Sequence, residues 1–170
     1  MRVFKYFSLI AFAIVCSAVN ISAQKPDDVM LTVTGDTTEL KMTRAGLDKF
    51  TRQKVRAKDH DGKEYTYEGV AIIDILEKVD VKFGAALRGK ALASYLLVEA
   101  SDGYRAVYAL PELDPPTADR MIILADRRDG ASSPANSGPL QVIVPGDKEH
   151  GRWVRQVKSL MIMRAPLFRM

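Results

Sequence analysis

The sequence predicts an α+β domain of mixed β-sheets with hairpins and a few short helices. Three observations predict it. Short apolar stretches recur along the chain with turn residues between them. Asp-Gly pairs at Asp61-Gly62 and Asp102-Gly103 stand between such stretches, a strong short-range hairpin signal. Helical spacing is confined to brief segments. The chain has 170 residues, 47% hydrophobic and 27% charged, which suits one domain with a filled core. That balance excludes collagen-like, coiled-coil and wholly disordered classes.

The elements follow in order. Val29, Leu31 and Val33 alternate with Met30, Thr32 and Thr34, the pattern of a half-buried strand closed by Gly35-Asp36. Thr43 is placed to cap a short helix through Phe50, with Leu47 and Phe50 facing inward. Residues 54–58 and 64–68 flank the first Asp-Gly turn, and Ile72, Ile73, Ile75, Leu76 and Val79 fit an amphipathic helix. Residues 84–93 are less regular, as loop or helix. Residues 95–100 and 104–109 flank the second Asp-Gly turn. Pro111, Pro115 and Pro116 leave room for one short helical turn. Residues 121–125 read as an apolar strand and 126–138 as a long ordered loop. Residues 140–144 form a buried strand stopped by Pro145-Gly146, and 160–163 a closing strand.

The N-terminus predicts export. Arg2 and Lys5 precede an apolar run at 8–19, and Ile21-Ser22-Ala23 offers a small-residue cleavage site before Gln24. The run is shorter than the roughly 20 residues that span a bilayer. Residues 1–23 are therefore read as a signal peptide and 24–170 as the domain, periplasmic or secreted, with no stable membrane span after cleavage. Val15 before Cys16 argues against lipidation. Loss of Arg2 and Lys5 lowers the formal net charge from +4 to +2, which leaves no electrostatic footprint for nucleic acid. The one cysteine is Cys16, so the domain has none.

Residue types alone support little catalysis. Neither His60 nor His150 belongs to a serine-nucleophile motif. Asp59-His60-Asp61-Gly62 is read as turn chemistry; a metal site would need His150 to converge on His60. The pairs Glu112 with Asp114 and Asp126 with Asp129 are read as solvated loop charges. His150, Gly151, Arg152, Arg155 and Lys158 place several cations beside a glycine-containing turn, which could hold an anion or simply form a charged face.

Gly138-Pro139-Leu140, Val144-Pro145-Gly146 and Arg155-Gln156-Val157-Lys158-Ser159-Leu160 resemble the G-P-L-R, V-P-G and R-x-V-K-W-L signatures of the oxidoreductase molybdopterin-binding domain. That is the domain of sulfite oxidase, plant-type nitrate reductase and the catalytic subunit of periplasmic methionine-sulfoxide reductase. Gly69-Val70 before a helix, Asp102-Gly103-Tyr104 with Leu110-Pro111, and Leu124-Ala125 fall in the family's order, so the resemblance covers about residues 29–165.

The resemblance implies a sulfite-oxidase-like fold, a molybdenum-molybdopterin cofactor, and a membrane or periplasmic redox partner. It assigns Gly138, Pro139, Arg155 and Lys158 to cofactor binding and gives no catalytic residue. Departures accompany it. The family's molybdenum-ligating cysteine is missing from Val55-Arg56-Ala57-Lys58-Asp59-His60, Gln141 stands for an arginine, and Ser159 for a tryptophan. Asp59 or His60 would be a poor replacement ligand on grounds of softness. The sequence thus points to an exported domain of this family holding a pterin molybdenum cofactor or similar anionic ligand, without the cysteine that oxygen-atom transfer uses. The alternative is a non-enzymatic periplasmic ligand- or protein-binding module on the same fold. A third reading is a metal-binding module built on His60 and His150.

Overall fold

Strand β1 (Val29–Thr34) buries Leu31 and Val33 completely and leaves the intervening residues half-exposed, as its alternation requires. The structure is a computed structural model that describes residues 28–166. The segment expected to be a signal peptide, with Cys16, lies outside the described residues. The expected fold class holds: the chain is α+β, with two sheets, hairpins and a few short helices.

The first sheet has the order β2-β1-β10-β5-β6, where β2 is Glu39–Thr43, β5 Ser94–Ala100, β6 Arg105–Ala109 and β10 Val157–Arg164. β1 pairs with β10 in parallel, Thr32 opposite Ser159, and every other pairing in this sheet is antiparallel. The final strand is therefore inserted between the first strand and the second hairpin. The second sheet runs β3 (Arg52–Lys58), β4 (Glu64–Ala71), β7 (Ile123–Arg128) and β8 (Ala131–Ser132), with β9 (Gln141–Ile143) also on β7.

Local chemistry explains most elements. Helix α2 (Ile72–Glu77) buries Ile72, Ile75 and Leu76 at the i, i+3, i+4 spacing that makes one apolar stripe. Each such side chain contributes about 1.5–3 kcal/mol on burial. Gly69 sits where β4 bulges against β7, and a Cβ there would overlap the carbonyl oxygen of Leu124. Only glycine permits that approach. Helix α3 (Leu110–Leu113) is the single turn allowed by the prolines, with Glu112 accepting the Ala109 amide at 2.8 Å.

Four expectations need correction. The helix capped by Thr43 is one turn, α1 (Arg44–Leu47), because only four residues separate it from β3; Phe50 packs on the core from outside it. Strand β2 was not anticipated: its alternation spans only five residues, with Met42 alone buried, and its pairing with β1 supplies the order. The long loop at 126–138 is shorter than expected. β7 continues to Arg128, and Asp129-Gly130 turns the chain with φ of 49° and 79° into β8. Asp126 is not a solvated loop charge but has 1% of its side chain exposed, held between Arg44 and Arg52. Burial pushes its carboxyl upward, and hydrogen bonds from Arg52 and Arg44 outweigh this and hold it below the ordinary range.

Candidate functional site

Two loops from distant parts of the chain build a polar hollow. The first is the tip of the β3–β4 hairpin, closed by Asp59 N–H on the Lys63 carbonyl (2.8 Å) and Gly62 N–H on the Asp59 carbonyl (2.9 Å). The second follows β9, where Gly146 turns with φ 85° and a 3-10 turn spans His150–Arg152. That turn is anchored from three sides. Arg152 binds Glu112 (2.8 Å) and Asp147 (2.9 Å), Tyr108 donates to the Arg152 carbonyl, and the Trp153 indole donates to the Val144 carbonyl at 3.2 Å. The cleft between the loops has a volume of about 560 Å³ and is walled by Lys58, His60, Lys148, His150 and Trp153. A second hollow of about 230 Å³, lined by Tyr104 and Arg155, shares His150 and Trp153 with it. A larger groove of about 820 Å³ lies elsewhere, against Val79, Leu87, Leu110 and Ile162, and contains no histidine.

The donors and acceptors in the cleft fix one another. Asp59 Oδ1 accepts the His60 amide at 2.8 Å and lies 2.6 Å from His60 Nδ1. Its Oδ2 accepts the Tyr67 hydroxyl at 3.0 Å and Arg128 at 3.2 Å. Burial pushes the Asp59 carboxyl up, but the His60 amide, Tyr67 and Arg128 together hold it below the ordinary range. Burial and the Asp59 charge push the Tyr67 phenol well above its ordinary value. A carboxylate only accepts, so His60 Nδ1 carries the hydrogen. Nε2 is then the acceptor, and Arg155 Nη2 donates to it at 2.6 Å. His150 Nε2 lies 2.7 Å from the Lys58 carbonyl, so it carries a hydrogen and leaves the lone pair on Nδ1. The rings of His60 and His150 are 5.7 Å apart, and His150 meets Trp153 edge to face at 4.3 Å.

The charge around the cleft is mixed: Arg56, Lys58 and Lys148 stand with Asp59, Glu64, Asp147 and Glu149, and Asp102 lies with Arg155 in the smaller hollow. Glu64 is taken by Arg56, and Asp147 by Arg120 and Arg152. Arg155, Lys58 and Lys148 have no carboxylate within ion-pair distance among the described residues. Tyr104 donates to the Gly151 carbonyl at 2.5 Å and closes the side next to Arg155.

The residues assigned from the resemblance fall in different places. Arg155 lines the smaller hollow and bonds His60. Lys158 is the extra residue of a bulge in β10 and pairs with Glu99 at 3.2 Å, a carboxylate shared with Arg105. Gly138 and Pro139, joined by a cis peptide bond, line neither hollow. A Cβ on Gly138 would meet the Ser133 and Pro134 carbonyl oxygens at 3.2 and 3.3 Å, so that loop folds onto itself. It reaches the Arg155 segment through Gln156, whose amide donates to the Ser137 carbonyl at 3.0 Å. The structure does bring His150 to His60, the condition set for a metal reading, yet no group of three His, Cys, Asp or Glu among the described residues could hold a metal. Asp59 as the anchor of His60, and Tyr67, Tyr104 and Lys148 around it, were not foreseen. The Asp-His pair at a hairpin tip was the one available signal.

A molybdenum centre does not fit this donor set. The cleft offers no thiolate, both His60 nitrogens are engaged, and the Lys58 carbonyl is taken by His150. Arg155, which bonds an imidazole and no carboxylate, does suit the anionic part of a ligand.

No family model and no curated protein matches the chain. Among solved structures it is similar to the sulfane dehydrogenase SoxCD from Paracoccus pantotrophus, with a TM-score of 0.62 and 18% identity, over 78% of this chain and 37% of that one. The chain thus spans a little over a third of that neighbour's length. At this identity the likeness concerns architecture, and its conclusion is that the chain has a fold related to that of the sulfane dehydrogenase, an α+β arrangement of two sheets with few short helices.

Proposed function

We propose that this chain is an exported binding domain on a sulfite-oxidase-type molybdopterin fold, and that its cleft takes a small anionic ligand through Arg155. The phosphate end of a pterin cofactor belongs to that ligand class. The observation that carries the proposal is the pairing of Arg155 with a neutral imidazole at 2.6 Å instead of with a carboxylate. An arginine so placed gives up a weak partner to gain a charge-assisted one, and its planar fork suits an oxyanion. The adjoining cleft brings Lys58 and Lys148 near, together with the carboxylate of Glu149. Trp153 and the anchored Arg152 keep the loop in place, so little ordering is needed when a ligand arrives.

On this reading Arg155 makes the ligand contact, while Gly138, Pro139 and Lys158, which line neither hollow, take no part in it. Molybdenum redox chemistry is not assigned to the chain, for want of a soft ligand. The second reading, a partner-binding module without catalysis, shares this site. A membrane or periplasmic redox partner belongs to the proposal only if a loaded cofactor is found.

Isothermal titration with inorganic phosphate tests it. Wild-type protein is expected to bind with a dissociation constant of about 0.1–1 mM, and Arg155→Met to weaken binding by about tenfold or more. No binding at about 20 mM phosphate, or equal binding by both proteins, overturns it. Protein recovered from its native envelope is expected to begin at Gln24 and to carry less than about 0.1 molybdenum per chain.

A further inference from the structure

We infer that the cleft selects oxyanions that still carry a proton, hydrogen phosphate above all, over fully deprotonated anions of the same charge and shape. The inference rests on the proposal that Arg155 binds an anion. It adds the identity of the ligand's protonation state.

Asp59 accepts from His60 Nδ1, and the carboxylate cannot turn away because the His60 amide, Tyr67 and Arg128 hold both its oxygens. His60 Nε2 is thereby fixed as an acceptor. The Lys58 carbonyl does the same for His150, fixing Nε2–H and leaving Nδ1 as an acceptor. Beside the cations, then, the cleft holds two ring nitrogens that offer lone pairs and no hydrogen.

A ligand displacing Arg155 from His60 must satisfy both sides of the broken contact. Its charged oxygens take the guanidinium, and an O–H is needed for Nε2. Hydrogen phosphate has three charge-bearing oxygens and one hydroxyl, and meets both demands. Sulfate has the same charge and shape but no hydrogen, so it leaves Nε2 facing an anionic oxygen, lone pair against lone pair. Sites built to receive a ligand hydroxyl reject analogues that lack it far more strongly than apolar pockets reject a methylene. The side chain of His60 is 56% exposed, so water softens the penalty and the expected preference is about tenfold.

Competition among inorganic phosphate, sulfate and methyl phosphate, read by titration calorimetry on the full chain near pH 8, tests this. At about that pH an ordinary imidazole is neutral, inorganic phosphate keeps one proton, and a phosphomonoester has lost its own. The wild-type protein is expected to bind phosphate about tenfold more tightly than either sulfate or methyl phosphate. In His60→Gln, whose amide can present a donor or an acceptor, the preference is expected to fall to about twofold or less. Equal affinity for all three anions in the wild type overturns the inference while the anion-binding proposal stands. Tighter binding of sulfate also overturns it. Binding of none of them overturns the proposal beneath it as well. The methyl phosphate arm needs no variant, so the inference is decided even if His60→Gln does not fold.

Discussion

The hydroxyl of Tyr67 donates to Oδ2 of Asp59 across 3.0 Å, joining a core residue of β4 to the carboxylate that orients His60. The Tyr67 ring packs edge to face on Trp153 at 5.7 Å, so one side chain braces both loops of the cleft. Tyr67→Phe keeps that ring contact and removes only the donor. It is expected to cost about 1 kcal/mol of stability and to free Asp59 partly from its position. Urea unfolding gives the first quantity. The second shows as a weaker preference for phosphate over sulfate. A loss of stability with the preference intact would separate the two loops' bracing from the orientation of His60.

Asp126 closes the second sheet onto α1 by holding Arg44 and Arg52 together. Asp126→Ala would remove the carboxylate that Arg44 and Arg52 share and leave them only the outer partners Asp48 and Glu68. Since its side chain is 1% exposed, the expected destabilisation is about 3 kcal/mol, read as a lower midpoint in urea. Asp114 is equally buried, but its oxygen accepts the Gly84 amide at 2.9 Å and it holds no cation, so its removal is expected to cost about 1 kcal/mol.

Both Asp126 and Asp59 have carboxyls held below the ordinary range in the folded chain. The sign follows from proton counting. As pH falls past the ordinary carboxylate value of about 3.9, the unfolded chain takes up protons that the folded chain refuses, and stability is lost until the folded carboxyls protonate too. Stability from these two groups is thus fully present at neutral pH and disappears at strongly acidic pH. Unfolding free energies measured from neutral pH down to about pH 2 are expected to fall on the acid side, and less steeply in Asp126→Asn.

Arg152 is a structural prop for the site and touches none of its ligand-facing atoms. It bridges Glu112 and Asp147, while Tyr108 donates to its carbonyl. Arg152→Met keeps the aliphatic stem over Tyr108 and leaves Glu112 and Asp147 with Arg120 as their one shared cation. The expected loss is about 1–2 kcal/mol in stability, with phosphate affinity down about threefold because His150 and Trp153 lose their anchor. Titration calorimetry beside thermal unfolding separates the two effects. Affinity unchanged in a destabilised variant would show that the turn keeps its place without the bridge.

The parts of the fold written in local chemistry were legible. Asp61-Gly62 and Asp102-Gly103 marked two hairpins, alternation marked β1, and the stripe of Ile72, Ile75 and Leu76 marked α2. The parts that depend on a distant partner were not. Strand β2 owes its order to β1, and the parallel pairing of β1 with β10 joins the two ends of the domain. Asp129-Gly130 carried the same hairpin signal as the other two pairs, but the charged and small residues around it hid the strands it joins. In the site, Arg155 was marked by residue type and by a family-like motif, whereas its partner is set by tertiary structure. His60 and His150 were each visible as isolated histidines. What joins them is the packing of a hairpin tip against the turn after β9, and neither loop announces the other.

The central claim is that Arg155 exchanges its bond to His60 for an anion. The most direct measurement is a nitrogen-15 NMR titration of the imidazole side chains with inorganic phosphate. The account predicts that the Nε2 resonance of His60 moves in a saturable way, together with the Arg155 guanidinium signal, while His60 Nδ1 keeps its hydrogen. An Nε2 resonance that stays still to saturating phosphate, or one that shifts identically in Arg155→Met, would contradict it.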